Sequence, residues 1–106
     1  MPLYGKRNHR ITLKKAAQMT RGYRRQFARA KAGLQPSAYS REILDAILRQ
    51  KGCKGIRFYP GAGRGGKISL LMVGVDAKGN DLYDGVVGDV PFHCPPFCSV
   101  ENPLNV

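Results

Sequence analysis

The chain is short of acid, and the shortage is one-sided. No Asp or Glu occurs before Glu42, while ten of the eighteen Lys and Arg residues lie before Pro36. The formal net charge of +11 is therefore concentrated in a stretch with no counter-charge of its own. Such a field draws nucleic acid, anionic surfaces or acidic proteins whatever the fold. Long apolar runs are also missing. Nothing approaches the ~20 residues needed to cross a bilayer, and the N-terminal stretch lacks the apolar block of a secretory signal, so neither membrane association nor export is expected. Cysteine is scarce and odd in number, with three residues. Without an export signal that count suits a reducing compartment better than a disulfide framework, and the cytoplasm is the expected location. The 106 residues, 42% of them hydrophobic, suffice for one core and not for two.

The best-organised stretch is Gly55 to Asp76. Ile56 and Phe58 alternate with Arg57 and Tyr59, Pro60 and a glycine cluster interrupt, and Ile68 to Val75 follows as a strongly apolar run. This reads as a β-hairpin. In its second strand Ile68, Leu70 and Met72 point to one side and Leu71, Val73 and Val75 to the other. A strand apolar on both sides needs cover on both. Helices upstream can supply one layer; the C-terminal segment or a second copy of the chain must supply the other, so a homodimer or larger self-assembly is expected.

Residues 1–11 show no periodicity and read as a basic arm. Thr12 can cap a helix running from Leu13 to about Ala32, with Gly33 after it. Leu13, Ala16, Thr20, Tyr23, Phe27 and Ala30 recur at the spacing of one apolar stripe, which is expected to join the core. Lys14, Lys15, Arg21, Arg25 and Arg29 fall on the other side. Arg21, Arg25 and Arg29 repeat four apart, an arrangement that costs a helix roughly 0.2–0.5 kcal/mol per pair unless an anion lies against it. From Lys14 to Arg29 the stripe runs about 22 Å at 1.5 Å per residue, enough to follow several phosphates. The same segment, amphipathic and Arg-rich, also fits an organellar targeting peptide, against which stand its lack of serine and its aromatic residues.

Pro36 breaks the connection, and Ser37 or Ser40 can cap a second helix from about Arg41 to Lys51. Ile43, Leu44, Ile47 and Leu48 form its apolar face, with Gly52 following. The two helices are expected to pair as an αα-hairpin across the sheet. Ala77 to Asn80 reads as a turn, with a third strand from Leu82 toward Val90. From Pro91 onward, four prolines in sixteen residues exclude an interior helix. An extended tail is expected, pinned to the open sheet face by Phe92, Phe97 and Leu104.

Three groupings invite chemistry. Gly61, Gly63 and Gly66 match G-x-G-x-x-G, but they lead into a strand rather than a helix, and no kinase motif follows. Hairpin punctuation is the reading, with Arg64 at the tip placed to touch an anion. His93, Cys94 and Cys98 could join Cys53 around zinc. If Pro95 and Pro96 are polyproline-like, however, Cys94 and Cys98 stand about 12 Å apart, too far for a disulfide and awkward for one metal. Packing of the cysteines is the preferred reading, although a cis proline shortens the span. Asp76, Asp81, Asp84 and Asp89 lack calcium-loop spacing and read as turn formers beside glycines. Nucleophilic catalysis rests on nothing beyond Cys53 or Cys94 near His93, and no enzymatic role is expected.

Gly52 to Tyr59 (GCKGIRFY), Gly74 to Asp81 (GVDAKGND) and Cys94 to Cys98 (CPPFC) together form a recognisable set. In it the second half resembles small bacterial proteins that share a helix ending in G-C-x-G-[IV]-R-x-Y, then G-V-D-x-x-G-N-D, then C-P-P-x-C. The resemblance spans roughly Ile43 to Cys98. It implies no activity, and it stops short of the basic helix.

The expectation is a single α+β domain: two N-terminal helices on a small antiparallel sheet built around a β-hairpin, with a Pro-rich extended tail. Its parts are the basic arm, a helical pair over 12–52, a sheet over 55–90 and the tail over 91–106. The expected role is a non-catalytic binding or assembly module whose basic helix holds an anionic partner. Nucleic acid phosphates lead the list, since only 8% of residues are aromatic and base stacking has little to work with. A homo-oligomeric structural subunit and a small thiolate metal protein are the alternatives.

Overall fold

The computed structural model describes residues 7–27 and 33–106, apart from the side chain of Arg64. Its elements run α1 (Leu13–Gln26), β1 (Ser37–Ala38), α2 (Arg41–Leu48), β2 (Gly55–Ala62), a short 3-10 turn (Arg64–Gly66), β3 (Ile68–Val75), β4 (Val87–Gly88) and β5 (Phe92–His93). The architecture is α+β. One sheet has the order β2-β3-β4, and a small second one pairs β1 with β5. All pairings are antiparallel.

β2 and β3 pair over their whole length, from Gly55 opposite Val75 to Ala62 opposite Ile68. Gly65 and Gly66 turn the chain between them at φ of 70° and 75°, a region where a Cβ meets its own backbone. Of the motif's own glycines only Gly66 takes a positive φ; Gly61 lies within β2 and Gly63 has a φ of −101°. On one side of β3, α2 packs against β2 and β3. Ile47 is fully buried there with Met72. A Cβ on Gly88 would meet Ile43 at 2.8 Å and Met72 at 3.0 Å, so strand and helix approach as closely as a bare backbone allows.

The other side of β3 is roofed by the chain itself. Arg57 lies opposite Val73, and Asp81 bridges to Val75, so both polar side chains stand on the face of Val73 and Val75. Arg57 donates to Asp81 at 2.6 Å and to the Gly79 carbonyl at 3.1 Å, and Tyr59 donates to the other oxygen of Asp81. Leu82 N donates to Gly74 O at 2.8 Å, pairing residues 81–82 along the edge of β3. Val73 and Val75 are buried. The expected cover by the tail is therefore corrected: the cluster of Arg57, Asp81 and Tyr59 lies on this face instead.

The tail goes elsewhere. β5 pairs with β1, placing Phe92 opposite Ala38 and His93 opposite Ser37. Cys94 N donates to Pro36 O at 2.8 Å. Farther on, Arg24 of α1 donates to the main-chain oxygens of Leu104, at 3.0 Å, and of Val106. The tail thus fastens the inter-helix connection and α1 rather than the sheet.

α1 begins as its sequence dictates, with Thr12 Oγ1 accepting from Lys15 N at 3.1 Å. Its packing corrects the expectation. Ala17 is buried, but Leu13 and Met19 stand 56% and 58% exposed. Among the described residues α1 forms no αα-hairpin with α2 and does not pack across the sheet. Ala16, Ala17 and Thr20 supply little of its stripe's area, and Arg24 lies within that stripe, so α1 has less to gain from docking than α2. Residues 28–32, including Ala30 and the expected helix end, lie outside the described residues. α2 is also shorter than expected, with Arg49 as its C-cap and Ser40 as an N-cap whose side chain makes no capping bond.

Tyr39 ties the connection to the sheet by donating to the Leu70 carbonyl. Burial pushes its pKa above the ordinary 10.0, and the charge of Asp89 pushes the same way. A raised folded pKa means that the neutral phenol is the form the fold prefers. Its stabilising share is complete below about pH 10 and disappears as pH climbs through the folded value. Difference absorbance at the phenolate band, wild type minus Tyr39→Phe, is expected to isolate one late-titrating tyrosine of the five. A midpoint at or below the ordinary value would contradict the contact.

Candidate functional site

Two regions carry the residues singled out above. The first is the polar side of α1. Lys14, Lys15, Arg21 and Arg25 are all exposed, and no acidic residue stands in the helix. The one ion pair among the described residues joins Arg57 to Asp81, on the sheet. The four α1 cations therefore have no counter-charge among the described residues. From Lys14 to Arg25 they extend about 16 Å along the axis at 1.5 Å per residue. Arg24, one residue from Arg25, is absent from this face because its guanidinium serves the tail carbonyls. Arg29 lies outside the described residues, as does the side chain of Arg64, so neither can be placed with the other four.

The repulsion within this face is real but modest. Arg21 and Arg25 stand four apart, a like-charge spacing that costs a helix roughly 0.2–0.5 kcal/mol. Gly22 lies between them with open space around its Cα, where an added Cβ would meet nothing within 4 Å. Close approach of a ligand backbone is sterically open at that point.

The second region holds the sulfurs. Cys94 and Cys98 form a disulfide, their Cα atoms 4.7 Å apart. The expectation of an extended run is corrected: the Cys94–Pro95 and Pro95–Pro96 peptide bonds are cis, and the segment folds back, with Phe97 N donating to His93 O at 2.9 Å. A zinc site built from Cys53, His93, Cys94 and Cys98 loses two thiolates to that bond. Among the described residues no three His, Cys, Asp or Glu side chains gather as a metal set. Cys53, half-buried, donates instead to Gly55 O at 3.2 Å.

His93 has a partner that no local pattern signals. Its Nδ1 lies 3.0 Å from Ser37 Oγ, which also donates to the Gln35 carbonyl at 3.0 Å. The Ser37–His93 contact ties β1 to β5 at their paired positions. The aspartates are similarly engaged: Asp76 accepts from Lys78 N and Asn80 N, both at 2.9 Å, shaping the turn, and Asp81 belongs to the roof clamp. An open groove of about 360 Å³ runs past Gln50, Lys51 and Asp81 to Gly85. Its Lys51 and Asp84 are of opposite sign, so it presents no single-sign field to a charged ligand. Comparison with protein-family models, curated proteins and solved structures finds no match to this chain.

Proposed function

We propose that the chain is a non-catalytic binding or assembly module of the cytoplasm whose first helix holds an anionic partner, foremost the phosphates of a nucleic acid. The observation that carries this reading is the side of α1 bearing Lys14, Lys15, Arg21 and Arg25, exposed and without counter-charge among the described residues. Phosphate contacts fix position and supply affinity without reading sequence. The face has no aromatic ring among its cations, so binding is electrostatic and indifferent to base identity.

Four neutralised phosphates release their counter-ions, and affinity for a duplex then falls on the order of a hundredfold between 50 and 200 mM salt. Fluorescence anisotropy with a labelled duplex of arbitrary sequence measures the slope. No binding at low salt, or binding that ignores salt, removes the reading.

A second reading, a homo-oligomeric structural subunit, draws on the opposite side of the same helix. Leu13, Met19, Tyr23 and Phe27 are exposed there, and a second copy would cover them. Light scattering decides it, with a dimer mass at low ionic strength as the supporting result. The positive charge carried by both copies works against that pairing and in favour of an acidic occupant.

A further inference from the structure

The Cys94–Cys98 bond is poorly placed to be a structural staple. Four positions separate the two residues, and the constraint a disulfide places on the unfolded chain shrinks with the loop it closes. The turn it spans is also held in other ways. Cys94 N donates to Pro36 O, Phe97 N to His93 O and Cys98 N to Pro96 O at 2.8, 2.9 and 3.1 Å. The β1–β5 pairing and the Ser37–His93 contact anchor its base.

What the bond does have is access. Cys98 is exposed and Cys94 half-buried, and every residue from Pro95 to Val100 is exposed. Beside the sulfurs, Phe92 and Phe97 make an edge-to-face pair with ring centroids 5.1 Å apart. They remain 49% and 60% exposed. An aromatic pair in open water next to a reachable sulfur is an apolar platform for whatever brings the reacting thiol. No acid occurs between Asp89 and Glu101, so no neighbour in sequence opposes a thiolate there. In a reducing compartment, moreover, disulfides serve as transient, catalytic or sensing bonds rather than permanent ones.

We propose that Cys94 and Cys98 form a thiol–disulfide exchange site for a cysteine-bearing polypeptide whose apolar side chains rest on Phe92 and Phe97. The thiolate of the incoming chain attacks Cys98 Sγ. The Sγ–Sγ bond breaks, its electron pair leaves on Cys94 Sγ, and water protonates that thiolate. A second thiolate of the same polypeptide then attacks its own sulfur in the mixed disulfide and expels Cys98. The polypeptide dithiol ends oxidised to a disulfide, and Cys94 and Cys98 end as thiols holding its two electrons and two protons. This proposal stands apart from the anion-binding face and survives its failure.

The test uses the full oxidised chain with excess reduced glutathione or with a peptide carrying a single cysteine between two phenylalanines. Both reactions are quenched by alkylation and mapped by mass spectrometry. The mixed disulfide is expected at Cys98 over Cys94 by about tenfold, following the access of each sulfur. The aromatic peptide should react several-fold faster than glutathione, and Phe97→Ala should bring the ratio of the two rates toward one. Cys53→Ser should change nothing. A bond that resists both thiols until denaturant is added, an adduct mapping first to Cys94 or Cys53, or equal rates for peptide and glutathione would each overturn the assignment.

Discussion

Replacing Lys14, Lys15, Arg21 and Arg25 together by glutamine is expected to abolish duplex binding in 50 mM salt. The wild-type decline of on the order of a hundredfold up to 200 mM should flatten to nothing. Glutamine keeps helix propensity close to that of the residues it replaces, and all four positions are exposed, so the far-ultraviolet circular dichroism should not move. Single replacements are expected to reduce the salt slope by about one each. Arg24→Gln makes the informative contrast. Its guanidinium holds the carbonyls of Leu104 and Val106, so it should leave the slope near the wild-type value while loosening the tail. If Arg24→Gln weakens binding as much as Arg25→Gln, the division of labour along α1 is wrong.

Ile47→Ala carries the largest expected loss of stability. Ile47 is fully buried where α2 meets Met72 and the backbone of Gly74. Emptying such a site costs about 2–5 kcal/mol, transfer and cavity together, out of the 5–15 kcal/mol typical of a whole domain. Urea unfolding should show a lower midpoint with an unchanged slope. Leu48→Ala, one residue on and half exposed, is the matched control and should cost well under half as much.

Local features were legible in the sequence, and long-range ones were not. Thr12 announces the start of α1 because a cap needs only the next three residues. The glycine cluster announces the turn, but of Gly61, Gly63 and Gly66 only Gly66 takes the positive φ expected of it. The two-sided apolar character of β3 was equally plain, and it correctly required cover on both faces. What supplies that cover was hidden. Arg57 and Asp81 lie 24 positions apart, and nothing in an isolated Arg or Asp says that it will close a roof. The tail's path is hidden for the same reason: Phe92, Phe97 and Leu104 are apolar anchors, but spacing alone does not say where they attach. On α1 the periodicity grouped Leu13, Tyr23 and Phe27 correctly on one side, yet periodicity reports which residues share a face and not whether anything lies against it. The disulfide is not legible because spacing does not say whether two consecutive prolines run extended or fold back.

The hold of Arg24 on Leu104, across 80 positions, sets an order of events for a chain made from one end. The β2–β3 ribbon can close as soon as its own residues exist, since its two strands are joined by a short turn. The clasp on α1 waits for residues 104–106, and closing so wide a loop is entropically unfavourable until the rest is in place. Refolding should therefore run in two stages, with strand pairing ahead of tail docking. During synthesis, the positively charged helix spends the interval without its mooring.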